Sequence, residues 1–194
     1  MATIITLRKV TREEISGAYN KVMQWFFAYP NAEMSLSDIS ERLRIAKTTA
    51  NRIIGLLVKE GFLLKKVAGK TWRLSCNQQH PYNVTRKIAY NLLLIYESRI
   101  LEAVHEQIES PRAIVLFGSY RKGDDTEESD IDIAVEVLDS RELRIYTLGS
   151  IPQLGYRKSV KVNLHVFSRN KIDLNLFSNI ANGIALQGFL EARP

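Results

Sequence analysis

The residues whose types and spacing could do chemistry are two aspartates, Asp130 and Asp132, and the Gly118-Ser119 pair before them. An apolar run at 113–117 predicts a strand that stops at Gly118, ten polar residues follow Ser119, and a second apolar strand begins after Asp130. Because side chains alternate along a strand, the two carboxylates share one face. Carboxylates this close repel each other unless a cation lies between them, and their hard oxygens favour a divalent metal.

Gly118 and Ser119 suit the other half of such a site. Glycine lets the backbone approach a ligand closely, and the amides of a strand-to-helix turn, with a serine hydroxyl, can bind phosphate oxygens. The residues therefore predict a site for a magnesium-bound nucleotide. The alternative is a strand, a loop and a strand whose acids are merely solvated.

This stretch resembles the minimal nucleotidyltransferase domain of the DNA polymerase beta superfamily, on the residues Leu116-Phe117-Gly118-Ser119, Gly123 and Ser129-Asp130-Ile131-Asp132-Ile133. The resemblance implies that Asp130 and Asp132 are catalytic and bind Mg²⁺, with two ions in an active enzyme. It also implies that Gly118, Ser119 and Lys122 bind the nucleoside triphosphate. Lys122 could instead pair with the acids of its own loop.

The third carboxylate of that family belongs on a later strand, and the position that aligns with it is Asn163. The alternation over 160–167 predicts a half-buried strand with Asn163 and His165 on one face. Asparagine can ligate a metal through its carbonyl oxygen but cannot accept a proton. His165 is a candidate base or ligand, or a structural histidine. Whether the chain is an active enzyme is left open by this position.

Length and composition bound the class of protein. With 194 residues, of which 45% are hydrophobic and 25% charged, the chain can form one large domain or two small ones. No apolar run is long enough to span a bilayer and the first residues lack the apolar core of a signal peptide, so we expect a cytoplasmic protein without membrane contact. The single cysteine, Cys76, excludes an internal disulfide framework.

The positive charge is concentrated in the first part of the chain. Residues 1–75 carry 13 Lys and Arg against 6 Asp and Glu, whereas residues 76–194 carry 14 against 15. A basic segment of this kind indicates a polyanion as its partner.

The same segment resembles a winged helix-turn-helix domain of prokaryotic transcription regulators. A capping pattern at 11–14 predicts a helix to about Tyr29, Ser35 or Ser37 begins a short helix, 47–60 forms a longer one, and 62–67 and 71–75 form the hairpin wing. The resemblance implies DNA binding through the start of the longer helix and through the wing. The residues concerned are Lys47, Thr48, Thr49, Asn51, Arg52, Lys65, Lys66 and Lys70. The alternative is a module for protein interaction or dimerisation.

The remaining segments complete an α+β fold, in which the winged domain precedes a polymerase-beta-like nucleotidyltransferase domain with a mixed sheet flanked by helices. The domains are predicted at 1–76 and 111–194, and residues 77–110 form a linker and one or two connecting helices. His80 is interpreted as a linker residue without a partner. Residues 140–150 and 173–182 are predicted as helices, and 184–190 as a return to the sheet edge.

Two functions follow from these patterns. One is an enzyme that transfers a nucleoside monophosphate from a nucleoside triphosphate, with Mg²⁺, to an unknown hydroxyl acceptor. The other is a DNA-binding transcriptional regulator whose nucleotidyltransferase-like domain binds nucleotide without catalysis. A homodimer or a partner protein also fits, since minimal nucleotidyltransferases often act as antitoxins beside a helical toxin. The sequence does not identify the acceptor, the preferred nucleotide, the DNA site or the oligomeric state.

Overall fold

The computed structural model describes residues 17–69, 71–139 and 142–191. The capping pattern at 11–14, Lys70 and the first two residues of the predicted 140–150 helix lie outside these ranges. The first half contains helices and one hairpin: α1 (Ala18–Ala28), α2 (Leu36–Leu43), α3 (Lys47–Lys59), β1 (Leu63–Ala68), β2 (Thr71–Cys76), α4 (Tyr82–Glu97) and α5 (Ile100–Gln107). The second half contains β3 (Ala113–Phe117), α6 (Gly118–Lys122), β4 (Ile131–Glu136), β5 (Arg144–Leu154), β6 (Arg157–Phe167), a 3₁₀ turn (Arg169–Lys171), α7 (Leu174–Ala181) and β7 (Ile184–Gly188).

The start of α2 shows why the first helices form where they do. Of the two candidate caps, Ser35 is the one used: its hydroxyl accepts a hydrogen bond from the Asp38 amide at 3.2 Å, and the Asp38 carboxylate accepts one from the Ser35 amide at 2.8 Å. This reciprocal pair satisfies two amides that the helix itself leaves free. The bond from the Ser35 amide also lowers the pKa of the Asp38 carboxyl. The helix ends at Arg44, whose φ of 52° reverses the chain into α3.

The connecting segment forms two helices, which decides the alternative that the sequence left open. Ser98 and Arg99 separate α4 from α5, and Arg99 takes a left-handed φ of 64°. His80, just before α4, has partners and the prediction that it lacks them is wrong: its Nε2 lies 3.0 Å from the Glu60 carbonyl and its Nδ1 accepts a bond from the Tyr82 amide.

A five-stranded mixed sheet forms the second half, with strand order β5-β6-β4-β3-β7. Strands β4 and β6 run parallel, and the other neighbours are antiparallel. One face packs into the main core with α4 and α5, through the fully buried Ile131, Ile133 and Leu164 among others. The other face carries a smaller cluster around Ala134 and Phe167, which α7 covers. The chain is therefore α+β with a mixed sheet flanked by helices, as predicted.

The predicted helix at 140–150 is wrong, because the structure has strand β5 from Arg144 to Leu154. This strand pairs with β6 along almost its whole length, which gives its backbone groups partners that no local pattern reveals. Leu154 faces Arg157 across a two-residue turn that begins with Gly155 at a φ of +58°. Glycine at the first position of a two-residue hairpin turn is the signal that sequence reasoning missed.

The predicted ten-residue loop after Ser119 is only partly a loop. Helix α6 begins at Gly118 and continues to Lys122, and Gly123 ends it with a φ of 79°. The chain then runs without regular structure to β4. A single helical turn therefore links the end of β3 to the segment that carries the two aspartates.

Candidate functional site

The end of β3 and the start of β4 bring the Gly118 bend against Asp132. The two strands are antiparallel neighbours, and Phe117 pairs with Asp132. Gly118 has a φ of +72°, and a Cβ at this position would lie 2.7 Å from the Asp132 Oδ2 atom. Only glycine allows both this backbone conformation and this close approach. The bend and the second aspartate are thus in direct proximity, as the sequence predicted.

The two aspartate side chains face the same way, and Asn163 joins them. Its side-chain amide donates to Asp130 Oδ2 at 3.2 Å and to Asp132 Oδ1 at 3.3 Å. The parallel register of β4 and β6 places Asn163 directly beside Asp132. The carboxylates are 38% and 29% exposed, so solvent and a ligand can reach both of them.

Strand β6 presents three side chains to this pair, at alternate positions 161, 163 and 165. The Lys161 Nζ atom lies 3.9 Å from Asp130 Oδ2, and the His165 Nε2 atom lies 3.5 Å from Asp132 Oδ1. The His165 ring also packs edge-on against Phe117, with centroids 4.9 Å apart. The side-chain row along β6 therefore carries a cation, an amide and an imidazole, and no carboxylate.

The predicted phosphate-binding residues occupy α6. Ser119 is half-buried, and its carbonyl accepts the bond from the Gly123 amide that closes the turn, at 2.9 Å. Lys122 is exposed, and within the described ranges it forms no ion pair with the acids of its own loop. Its ammonium is therefore available to a ligand.

Sequence reasoning missed a buried ion pair beneath this loop. Lys87 of α4 and Asp125 are 2% and 3% exposed, with Nζ and Oδ1 3.3 Å apart, and Lys87 also donates to the Asp125 carbonyl. Asn91, one turn further along α4, donates to Asp125 Oδ1 at 2.8 Å and to the Tyr120 carbonyl at 3.1 Å. Burial raises the pKa of the Asp125 carboxyl, and the Lys87 ammonium opposes that rise. Helix α4 thus fixes the segment that leads to Asp130.

Arg157 holds the same segment from the side of the sheet. Its guanidinium donates to the carbonyls of Glu127 at 2.9 Å and Ser129 at 2.6 Å, and it also donates to the Tyr120 hydroxyl. Burial raises the pKa of the Tyr120 phenol. Because Ser129 precedes Asp130, Arg157 fixes the backbone next to the first aspartate. In the sequence it is marked only as an arginine at the first position of β6, just after the Gly155-Tyr156 turn.

Residues that follow α1 contact this region directly. Asn31 donates to the Glu127 carboxylate at 3.3 Å, and the Tyr29 hydroxyl donates to the Tyr156 carbonyl at 2.8 Å. The segment of chain between α1 and α2 therefore touches both the loop before Asp130 and the turn before Arg157.

The predicted DNA-binding residues that the structure describes belong to the start of α3 and to the β1 strand of the hairpin. Thr49 is half-buried at the start of α3, and the other described members are exposed: Lys47, Thr48, Asn51, Arg52, Lys65 and Lys66. The Lys65 Nζ atom lies 3.1 Å from the centroid of the Trp72 ring across the hairpin. This contact orients Lys65 by attraction between a cation and an aromatic face.

Comparison with known proteins supports the interpretation of the second half. Residues 97–185 match the family model described as Nucleotidyltransferase domain, a span that includes α5 and all the strands from β3 to β6. Over 165 residues the chain is 26% identical to a protein of Pyrococcus horikoshii named as an uncharacterized HTH-type transcriptional regulator, covering 84% of this chain and 92% of that relative. Residues 97–185 therefore match the predicted kind of domain, while its bounds at 111–194 and the roles of its individual residues stay predictions.

Two further findings bear on the class of protein. No helix in the described ranges is long and apolar enough to cross a membrane. Among the same residues, no group of three or more His, Cys, Asp and Glu side chains is arranged to hold a metal ion. The side chains beside Gly118 that could ligate a cation are those of Asp130 and Asp132, the Asn163 amide if its oxygen turns inward, and His165, whose Nε2 atom lies 3.5 Å from Asp132 Oδ1.

Proposed function

We propose that the chain transfers a nucleoside monophosphate from a nucleoside triphosphate to a hydroxyl acceptor, in a reaction that requires Mg²⁺. The observation that carries this proposal is the pair of half-exposed carboxylates, Asp130 and Asp132, side by side at the Gly118 bend. The match of residues 97–185 to a nucleotidyltransferase domain supports it. In the proposal, residues 1–76 form a winged helix-turn-helix domain that binds DNA.

The residues at the bend fit a magnesium ion. Two adjacent carboxylates provide the hard oxygen ligands that Mg²⁺ prefers. When bound, Mg²⁺ offsets phosphate charge and stabilises the attacking and leaving oxygens of the transfer. The backbone at Gly118, the Ser119 hydroxyl and the Lys122 ammonium would bind the phosphates.

The transfer itself makes one bond and breaks one. The acceptor oxygen attacks the α-phosphorus, the bond from that phosphorus to the bridging oxygen of the β-phosphate breaks, and pyrophosphate leaves. The acceptor proton has to pass to a base, which Asn163 cannot be. His165, with Nε2 3.5 Å from Asp132 Oδ1, is the candidate for that role.

A second candidate function is favoured by Asn163 and by the name of the relative. With an amide where the family has a third carboxylate, the domain could bind a nucleotide without turning it over. The chain would then be a DNA-binding transcriptional regulator that responds to a nucleotide. The Pyrococcus horikoshii relative, named as an HTH-type transcriptional regulator, supports this interpretation.

Labelled nucleoside triphosphates separate the two functions. The purified chain is incubated with Mg²⁺, each α-³²P-labelled triphosphate and a panel of protein, nucleic-acid and small-molecule acceptors. Incorporation that is lost in the double variant Asp130→Ala and Asp132→Ala supports the transferase. The matched control, Glu106→Ala with Glu109→Ala, removes two exposed acids of the 97–110 region and should leave incorporation unchanged. Binding of triphosphate without incorporation into any acceptor would reject the transferase and favour the regulator.

The proposed DNA surface consists of the exposed residues at the start of α3 and the lysines of the hairpin. The N-terminal part of a recognition helix approaches base edges, while wing lysines contact phosphates. The excess of basic residues over acidic ones in residues 1–75 supports this partner, since the rest of the chain has no such excess.

A further inference from the structure

The negative charge at the two aspartates is too small to hold the two divalent cations that the family resemblance implies. Two ions about 4 Å apart repel strongly, and the carboxylates between and around them offset that repulsion. Here the two carboxylates face a neutral amide at the third position, with Asn163 pointing its N–H groups at both of them. That end of the amide carries partial positive charge and repels a cation.

Lys161 adds a permanent positive charge on the same side. Its Nζ atom is 3.9 Å from Asp130 Oδ2, and the side chain is 50% exposed. Because residues 161, 163 and 165 alternate along β6, all three project toward the aspartates, and none of them is an anion. The side of the site that faces β6 is therefore already occupied by cationic and donor groups.

We infer that the site holds one divalent cation with its nucleotide, and that Lys161 and Asn163 occupy the places of the second cation and the third carboxylate. The inference rests on the proposed function and concerns the number of ions. Asp130 and Asp132 hold the single ion together with the phosphates. The Lys161 ammonium then contacts the nucleotide or the Asp130 carboxylate. It neutralises negative charge there as a second cation would, but unlike a metal ion it cannot dissociate from the chain.

Manganese is a suitable probe because its electron spin resonance reports both the number of bound ions and their separation. The full chain is titrated with Mn²⁺ in the presence of one equivalent of a triphosphate whose α–β bridge is a methylene group. We expect one bound Mn²⁺ per chain and the spectrum of an isolated ion. The Asn163→Asp variant supplies the missing carboxylate, so it should bind a second Mn²⁺ and show the coupled spectrum of two ions about 4 Å apart.

The control variant is Asn179→Asp, which adds the same charge at an exposed position of α7 and should retain one isolated ion. Two Mn²⁺ ions with a coupled spectrum in the unmodified chain would overturn the inference and leave the proposed function standing. No bound Mn²⁺ and no bound nucleotide would overturn both. A single ion in Asn163→Asp would also contradict the inference, because charge at this position would then not set the number of ions.

A second variant tests Lys161. Replacing it with glutamine keeps most of the side chain and removes the charge, so the Kd for the methylene triphosphate should rise about tenfold while one Mn²⁺ remains bound. Lys158→Gln, which changes an exposed lysine elsewhere on β6, is the matched control and should not change the Kd. An unchanged Kd in Lys161→Gln would show that this ammonium has no part in neutralising the ligand.

Discussion

The buried ion pair between Lys87 and Asp125 allows a direct test of how the loop before Asp130 is held. The informative change is Lys87→Met, which keeps a long unbranched side chain and removes the charge. Both side chains are almost fully buried, at 2% and 3% exposure. The variant therefore leaves the Asp125 carboxylate in the interior with only the Asn91 amide as a side-chain partner.

The expected loss of stability is large. Removing one member of a buried ion pair destabilises a protein by about 3–5 kcal/mol, because the remaining charge has lost its compensation. For a chain of this size each kcal/mol lowers the Tm by about 2–4 °C, so we expect a fall of roughly 6–20 °C. In the double variant Lys87→Met with Asp125→Asn, neither side chain of the pair is charged, so most of the loss should be recovered.

The loss should also depend on pH, with a sign that follows from Asp125. Burial raises the pKa of this carboxyl, and Lys87 opposes the rise, so removing Lys87 raises the pKa further. A carboxyl whose pKa is raised by folding contributes stability below its unfolded pKa, and this contribution is lost as the pH rises through the folded pKa. The penalty of Lys87→Met should therefore be smaller at pH 5 than at pH 7.5.

Urea unfolding followed by circular dichroism at both pH values measures these differences. Lys59→Met, at the exposed end of α3, is the control and should change the free energy of unfolding by less than about 0.5 kcal/mol. A loss below about 1 kcal/mol in Lys87→Met at pH 7.5 would refute the reasoning. So would a larger loss that neither shrinks at pH 5 nor recovers in the double variant.

Three smaller changes test other parts of the structure. Gly123→Ala should lower the free energy of unfolding by at least about 2 kcal/mol, because φ is +79° and the new Cβ meets a backbone carbonyl of α4. Gly55→Ala, in open space within α3, should raise it by about 0.5–1 kcal/mol, and equal effects of the two changes would contradict the close approach of Gly123 to α4. Ser35→Ala should lower the free energy of unfolding by about 1 kcal/mol through loss of the α2 cap, and Ser35→Thr should retain most of it. Replacing Lys47 and Arg52 with glutamine should reduce the salt dependence of binding to duplex DNA, with a log–log slope smaller by up to about 2, as fluorescence anisotropy can measure; an unchanged slope would remove both residues from the DNA surface.

The sequence was sufficient for the features that local patterns determine. Residues 160–166 of β6 alternate between buried apolar and more exposed polar side chains, so the shared face of Asn163 and His165 could be predicted from the order of these residues alone. The Gly118 bend was predictable because few residues other than glycine tolerate a positive φ beside a close neighbour. Strand β5 was not predictable in this way. It lies at the edge of the sheet and its first residues are exposed, so its conformation depends on pairing with β6 and not on a buried apolar face of its own.

Buried polar residues of α4 explain why the sequence did not predict that this helix supports the site. Sequence patterns identify a helix face by its apolar residues, yet the apolar Ile88 and Leu92 of α4 are only half-buried. The fully buried side of α4 instead includes Asn83, Lys87 and Asn91, which are spaced four residues apart. Polar residues with this spacing are usually solvated, so only their partners reveal that they are interior.

Those partners show why α4 determines the geometry of the proposed nucleotide site. Lys87 and Asn91 bind the loop between α6 and β4 on one side of the helix, while Arg86 donates to the Tyr19 hydroxyl of α1 on another side, at 3.2 Å. Gly123 can approach the helix backbone only because it has no side chain. The position of Asp130 therefore depends on α4, and the same helix packs against the N-terminal helices. A movement of α1 that displaced α4 would therefore also displace the loop before Asp130.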